Sequence, residues 1–342
     1  MEKLDNIRAK PLSYDSQKVV IKSLSIDNRV RLDRRLPDLR VVNTLFPRII
    51  DRMTLTNNGI GINNKLWTFG AVTRTIGRRK VIIPNKTEVR LFRTSTQETV
   101  RHLTDQSPEA AYQEMFDAYF KNKIIVRKEL TVGPTLPNFL KNRDPVGFKI
   151  DTERLNLSLL RFDIWSDLVR IVEIKNLKHL RIEFRGETQG FLDKPEIKHC
   201  KTLVLHVYNP FQSLAIDELV DLRNEHLEIQ SALFTSDNVE TLIEGWIDTR
   251  RDIGTSFSLG RETYEDVAEI FQYFVENSGA VPSKHSVCDG VTFAIGNNQD
   301  LFMFASENTT EINERSIIET SWFFNMRIIR RETTITNDNK PI

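Results

Sequence analysis

Two short clusters hold the side chains most able to ligate a metal or attack a carbonyl: His199-Cys200 with His206, and His285-x-x-Cys288-Asp289. A structural zinc site needs four convergent donors. Neither cluster offers a usual ligand spacing, so the two would have to meet in space. Cys288 beside His285 has the residue types of a nucleophile and its base, but nothing nearby marks a third group or an oxyanion site. Asp217, Glu218 and Asp221 could exchange protons, yet their spacing puts them on the wet face of a helix. The phosphate loop G-x-x-x-x-G-K-[ST], a G-x-G-x-x-G after a strand and the G-x-S-x-G elbow do not occur. Gly59-Ile60-Gly61 is too short and falls between hairpin-like strands. The expectation is a protein that is not an enzyme, with no metal and no cofactor.

At 342 residues, 39% apolar and 28% charged, the chain can bury a sizeable core across two or three domains. Its 20 Phe against 6 Tyr favour ordered packing. A net charge of +1 gives no global field to recruit nucleic acid or acidic lipid. The local basic clusters, Arg74-Arg78-Arg79-Lys80 and Arg327-Arg330-Arg331, read as solvated loops or strand edges, so neither nucleic acid nor a membrane is an expected partner. Two cysteines make no disulfide framework and suit a reducing interior. The first residues carry no signal-peptide-like apolar run, and no stretch of about eighteen apolar residues could span a bilayer. An intracellular location, cytoplasmic or nuclear, is expected.

The opening residues encode small helices. Ser13 can cap the first, and Asp15 suits its positive end. Val20, Ile21 and Leu24 share one face of it. Ser25 or Asp27 restarts the chain, with Ile26, Val30 and Leu32 on the apolar side. Pro37 fits the first position of a third helix, striped by Leu39, Val42 and Phe46 and stopped by Pro47. Three such helices bury little alone, so residues 1–46 need the rest of the chain or another protein against them.

From Pro47 the texture changes. Short apolar runs broken by Asn57-Asn58-Gly59 and Asn63-Asn64 predict a small antiparallel β segment over 47–93. Ser107-Pro108-Glu109 opens a helix whose Tyr112, Met115, Phe116 and Tyr119 form a core stripe. Gly133-Pro134-Thr135-Leu136-Pro137 marks a boundary, giving a β-rich segment over 47–135. Beyond it, Leu155-x-Leu157-x-Leu159, Leu180-x-Ile182-x-Phe184, Leu203-x-Leu205-x-Val207 and Leu227-x-Ile229 recur at intervals of 25, 23 and 24 residues. That is the period of leucine-rich-repeat-like stacking, although only Asn209 stands near the place of the usual turn asparagine. Chance alternation within a mixed sheet is the alternative. Helices are expected over 216–222, from Asp237 with Glu240 completing a capping box and Val239, Leu242, Ile243, Trp246 and Ile247 on one face, and from Thr263 to Gly279. The third of these, capped by Thr263 with Asp266 in its third position, buries Val267, Ile270, Phe271 and Phe274. Residues 255–259 read as a strand. Residues 291–295 and 300–304 read as a hairpin through Gly296-Asn297-Asn298, and Ile317-Ile318 to Ile329 as one or two strands before a polar tail, 332–342.

The run Leu12-Ser13-x-Asp15, followed by Val20-Ile21 and Leu24, resembles the start of an F-box. Phe46-Pro47-Arg48-Ile49-Ile50-Asp51, Ile62-Asn63, Leu66-Trp67, Gly70, Trp246 and Ile253-Gly254-Thr255-Ser256-Phe257 extend the likeness to the nematode F-box C family. That family joins a degenerate N-terminal F-box to a family-specific C-terminal region. The resemblance implies a substrate-recognition adaptor of an SCF-type ubiquitin ligase, with a Skp-type adaptor protein and a protein target as partners. Leu12, Val20, Ile21, Leu24, Ile26 and Val30 would then be the adaptor-binding residues. The expected fold is α+β: a three-helix module (1–46), a β-rich middle (47–135) and a leucine-rich-repeat-like strand/helix body (136–331). Three alternatives remain. The first is a non-catalytic recognition protein with a decayed F-box whose apolar face packs on its own body. The second is an immune or stress-related recognition protein unrelated to ubiquitin, contacting ligands through the loops after Leu159, Phe184 and Val207. The third is a metal-dependent enzyme using His285, Cys288 and Asp289.

Overall fold

Each of the first two helices begins at a serine. Ser13 Oγ accepts from the Ser16 amide to start α1 (Tyr14–Ser23), and Ser25 Oγ accepts from Asn28 to start α2 (Ile26–Arg35). The third segment is not the single helix its apolar stripe suggests. Pro37–Leu39 forms a 3-10 turn with no capping side chain, and α3 covers only Arg40–Thr44. The structure, a computed structural model, describes residues 12–76, 78–120, 123–144, 148–158, 164–184, 190–207, 214–230, 234–285, 288–296, 298–308 and 320–331. Pro11, Leu159 and its following loop, the loops after Phe184 and Val207, Asn209, Asn297, Ile317-Ile318 and the tail 332–342 lie outside them.

The chain is a mixed α/β protein of two compact units. The first comprises Met1–Thr131, Thr135–Glu153 and Trp165–Glu173; the second comprises Val132–Pro134, Arg154–Ile164 and Ile174–Ile342. The helical opening therefore shares a unit with the β segment instead of standing alone. The break expected near 135 is also not a single cut. Residues 150–152 return to the first unit because β7 (Ile150–Thr152) pairs in parallel with β6 (Ile124–Val132).

The first unit is built on a sheet of order β5-β4-β3-β2-β1-β6-β7. Strands β1 (Arg48–Thr56), β2 (Gly59–Ile62), β3 (Lys65–Ile76), β4 (Arg79–Arg93) and β5 (Glu98–Thr104) make an antiparallel meander. It runs past the expected limit at 93, because β5 is exposed along almost its whole length and so shows no inward alternation. Ser107 caps α4 (Pro108–Tyr119), with Pro108 at its first turn. Tyr112 and Phe116 are buried as the stripe predicts. The Tyr112 ring stacks on Phe69 at 4.8 Å, and its hydroxyl donates to the Gly59 carbonyl at 2.7 Å. Helices α5 (Asn138–Lys141) and α6 (Trp165–Ile171) complete this unit.

In the second unit β8 (Arg154–Leu157), β9 (His179–Phe184), β10 (Thr202–Val207), β11 (His226–Gln230) and β12 (Ser256–Arg261) lie side by side in parallel. Parallel neighbours need a long crossover between them. The short helices α7 (Pro195–Lys198) and α8 (Ile216–Val220) and the longer α9 (Ser236–Asp248) lie on those crossovers. Leu155, Leu180, Leu203, Leu227 and Phe257 stand in register, all buried. Thr235, not Asp237, caps α9, and Asn238 completes its capping box. The reading from Asp237 is set two residues late, because Asp237 and Glu240 offer a rival cap of similar chemistry. Thr263 and Asp266 box α10 (Tyr264–Asn277) as expected, and Val267, Ile270 and Phe274 are buried. The sheet then turns antiparallel through β16 (Trp322–Arg330), β15 (Gln299–Glu307), β14 (Cys288–Gly296) and β13 (Val281–His285).

Candidate functional site

The six residues proposed for an adaptor interface do not share one environment. Ile21 is 1% exposed, and Ile26 and Val30 are buried with it. Leu24 is half-buried, while Leu12 and Val20 are open. The outward apolar side chains of the three helices are instead Tyr14, Val19 (69% exposed), Val20, Leu36, Val41 (73%) and Leu45. Val19 and Val41 were missed by the sequence pattern, which ranks faces by periodicity and leaves the outer one to solvent.

A buried polar cluster holds these helices against the start of β1. Arg29 Nε donates to Asn43 Oδ1 at 2.6 Å, and its Nη atoms donate to the carbonyls of Asn43, Phe46 and Pro47 at 2.8–3.0 Å. Asn43 Nδ2 donates to Asp33 at 2.5 Å, and Arg48 pairs with Asp33 at 2.8 Å. Burial, with the neighbouring Arg48 charge, lowers the Arg29 guanidinium to about 10, opposed by Asp33. It stays charged at neutral pH. Asp27 ties the same helix to β3 through Lys65 at 2.6 Å. The sequence signal was Arg29 itself, an arginine three places after Ile26 and next to Val30 on the apolar side of α2.

The second unit carries a polar row on one face of its parallel strands. Alternation sends leucines to one side and places Asn156, Arg181, Val204, Glu228, Ser258 and Asn325 in register on the other. One step on, Glu183, His206 and Gln230 are in register. His206 is buried, and Arg181 Nη2 donates to its Nδ1 at 3.2 Å, which leaves the ring proton on Nε2. Burial first, then the Arg181 charge, lowers His206 to about 3, so it is neutral under ordinary conditions. Burial raises the Glu228 carboxyl, partly offset by the hydrogen bond from Gln230 at 2.7 Å and by Arg181. Ser258 Oγ donates to Asn325 at 2.7 Å. Strands about 4.8 Å apart thus set donors and acceptors in a line, where Arg181 with His206, Gln230 with Glu228, and Ser258 with Asn325 satisfy one another.

The two metal-flavoured clusters resolve into separate places. His199 and Cys200 precede β10, and His206 lies towards its far end. Cys200 is buried, and burial pushes its thiol up to about 12, so it stays protonated. Asn224 Nδ2 donates to the Cys200 carbonyl at 2.6 Å and to its sulfur at 3.2 Å, binding the turn before β11 to the turn before β10. His285 and Cys288 face each other across β13 and β14, and Asp289 pairs with Lys284 at 3.4 Å. Among the described residues no group of three or more His, Cys, Asp and Glu could hold a metal ion. Glu218 accepts from the Gly190 amide at 2.9 Å, and Asp221 lies 3.7 Å from Lys198. In the first unit a cavity of about 360 Å³ lies beside α4, lined by Phe69 and Leu136 with Asn57, Asn58, Asn138 and Lys141.

Residues 107–263 match a family described as Domain of unknown function (DUF3557). The match begins at the cap of α4 and ends at the cap of α10. Neither a curated protein nor a solved structure matches the chain.

Proposed function

We propose that this protein is a substrate-recognition adaptor of an SCF-type ubiquitin ligase. In this reading α1–α3 dock on a Skp-type adaptor protein, and the second unit holds a protein target. The observation that carries it is the side chains the helices leave in water: Val19, Val20, Val41 and Leu45 remain open although the same helices have filled their interior with Ile21, Ile26, Val30 and Val42. Interface energy concentrates in a few such anchors. The parallel strands at intervals of 25, 23 and 24 residues support a leucine-rich-repeat-like body, and in this reading its half-buried Asn156, Arg181, Glu228 and Asn325 face the target.

Pull-down with the Skp-type adaptor tests it. The double change Val19→Asp/Val20→Asp lowers recovery at least about tenfold, since both side chains lie near the middle of an exposed helix face. The melting temperature stays unchanged. Equal recovery of both forms, or none of either, rejects the adaptor role.

One observation favours a second reading. Arg29, Asp27, Ile21, Ile26 and Val30 are all engaged within the chain's own first unit. A decayed F-box that serves only as structure would show this, and the protein would then be a recognition module outside the ligase. That reading is the one left if the intact chain recovers no adaptor.

A further inference from the structure

The run Arg74-Arg78-Arg79-Lys80 sits on a free two-stranded ribbon. Pairing of β3 with β2 stops at Thr68, and pairing of β4 with β5 starts only at Thr87. Among the described residues, 71–76 and 79–86 therefore pair as strands only with each other. The outer pairs are Thr73 with Ile82, Arg74 with Val81, Thr75 with Lys80 and Ile76 with Arg79. One face carries Arg74, Ile76, Arg79 and Val81; the opposite face carries Thr73, Thr75, Lys80 and Ile82. From Gly70 to Ile83 there are four cations and no acidic residue. Among the described residues none of the four has an ion pair. Ile76 and Ile82 are 61% and 62% exposed, and Val81 is open as well.

Charges on a sheet edge keep it from pairing with other strands, and that accounts for the cations. It does not account for three large aliphatic side chains on both faces of the same tip. A flat protein partner would cover one face and leave the other wet. A base-stacking partner would need aromatic side chains, and this ribbon has none. A fluid interface encloses a tip from both sides. The four outermost pairs span about 10 Å, comparable to the depth at which interfacial segments bury their apolar groups.

We propose that this ribbon tip contacts an anionic lipid bilayer, with Ile76, Val81 and Ile82 at the headgroup–acyl boundary and Arg74, Arg78, Arg79 and Lys80 against the acidic headgroups. The contact is peripheral and reversible. Among the described residues no helix is long and apolar enough to cross a membrane, and each cation near an acidic surface strengthens binding only about fivefold. The inference does not depend on the ligase reading, since it uses no residue of α1–α3 and none of the second unit.

Co-sedimentation of the full chain with vesicles tests it. Vesicles of phosphatidylcholine alone should leave the protein in solution, whereas vesicles with about one third phosphatidylserine should carry it down, less so as salt rises. Arg78→Gln/Arg79→Gln lowers the partition at least about tenfold. Ile76→Thr/Ile82→Thr also lowers it severalfold, with the charge untouched and strand propensity kept. All four positions are exposed, so a melt of each variant should match the unaltered chain. Equal sedimentation with both vesicle types overturns the proposal. So does an isoleucine variant that sediments fully, or a short nucleic-acid duplex that displaces the protein from the vesicles and binds the isoleucine variant undiminished. The last outcome would make the ribbon a nucleic-acid arm.

Discussion

Arg29 donates to three backbone carbonyls and to the Asn43 side-chain amide in a largely buried site, where, among the described residues, only the Asn43 side-chain oxygen has a second donor, Arg48. Removing a charged donor from such a site costs its hydrogen bonds and also leaves its acceptors stranded. Arg29→Met, which keeps most of the volume, should destabilise the first unit by about 2–4 kcal/mol. Urea unfolding would measure this, and a loss under about 0.5 kcal/mol would show that water reaches the site. At this scale the sequence was legible where chemistry is local. Ser13, Ser107 and Thr263 cap the helices they precede because a hydroxyl finds an amide three residues away whatever the rest of the chain does. Arg29 with Asn43 and Cys200 with Asn224 were not legible, because each partnership joins residues at least fourteen positions apart.

Among the elements, α8 and α9 approach through Gly245. A methyl group there would lie 2.3 Å from Val220 Cγ1 and within 3.1 Å of two further Val220 atoms. Alanine ordinarily steadies a helix by about 1 kcal/mol relative to glycine. Here the overlap with a β-branched neighbour outweighs that gain, so Gly245→Ala should lower stability by about 1–3 kcal/mol. Thermal melts of Gly245→Ala and of Gly245→Ala/Val220→Ala would decide it, since the second change makes room and should recover part of the loss. Strand periodicity was legible in the second unit, where one face is buried and Leu155, Leu180, Leu203 and Leu227 stack. It was silent for β5 and β13. The first has no buried face, and the second carries Pro282 and Lys284 on a sheet margin that tolerates both.

For the whole molecule, His206 links stability to acidity. Its folded value is near 3, against 6.5 for an ordinary histidine, so between those limits the unfolded chain binds a proton that the folded chain refuses. Stability from this residue is present above about pH 6.5 and falls as pH drops through that window, by about 3 kcal/mol near pH 4.5. Glu228 works in the opposite direction, because its raised carboxyl takes up a proton more readily in the folded state. Denaturant titrations from neutral to about pH 4.5 should show a net acid loss that flattens in His206→Gln. An unchanged slope in that variant would place the acid sensitivity elsewhere. The mixed class was legible from alternating strand and helix patterns. The unit boundaries were not, since β7 belongs to a partner strand that no local signal names.

The path of the backbone has a practical result. Because it leaves the first unit at Val132, returns by Thr135, departs at Arg154 and is back at Trp165, no single scissor point frees either half intact. Dissection by truncation at 131 would strip α5, β7 and α6 from their own neighbours, and a cut at 173 would take β8 from the strand ladder it begins. Assigning a role to either half is therefore a task for point changes in the unbroken polypeptide.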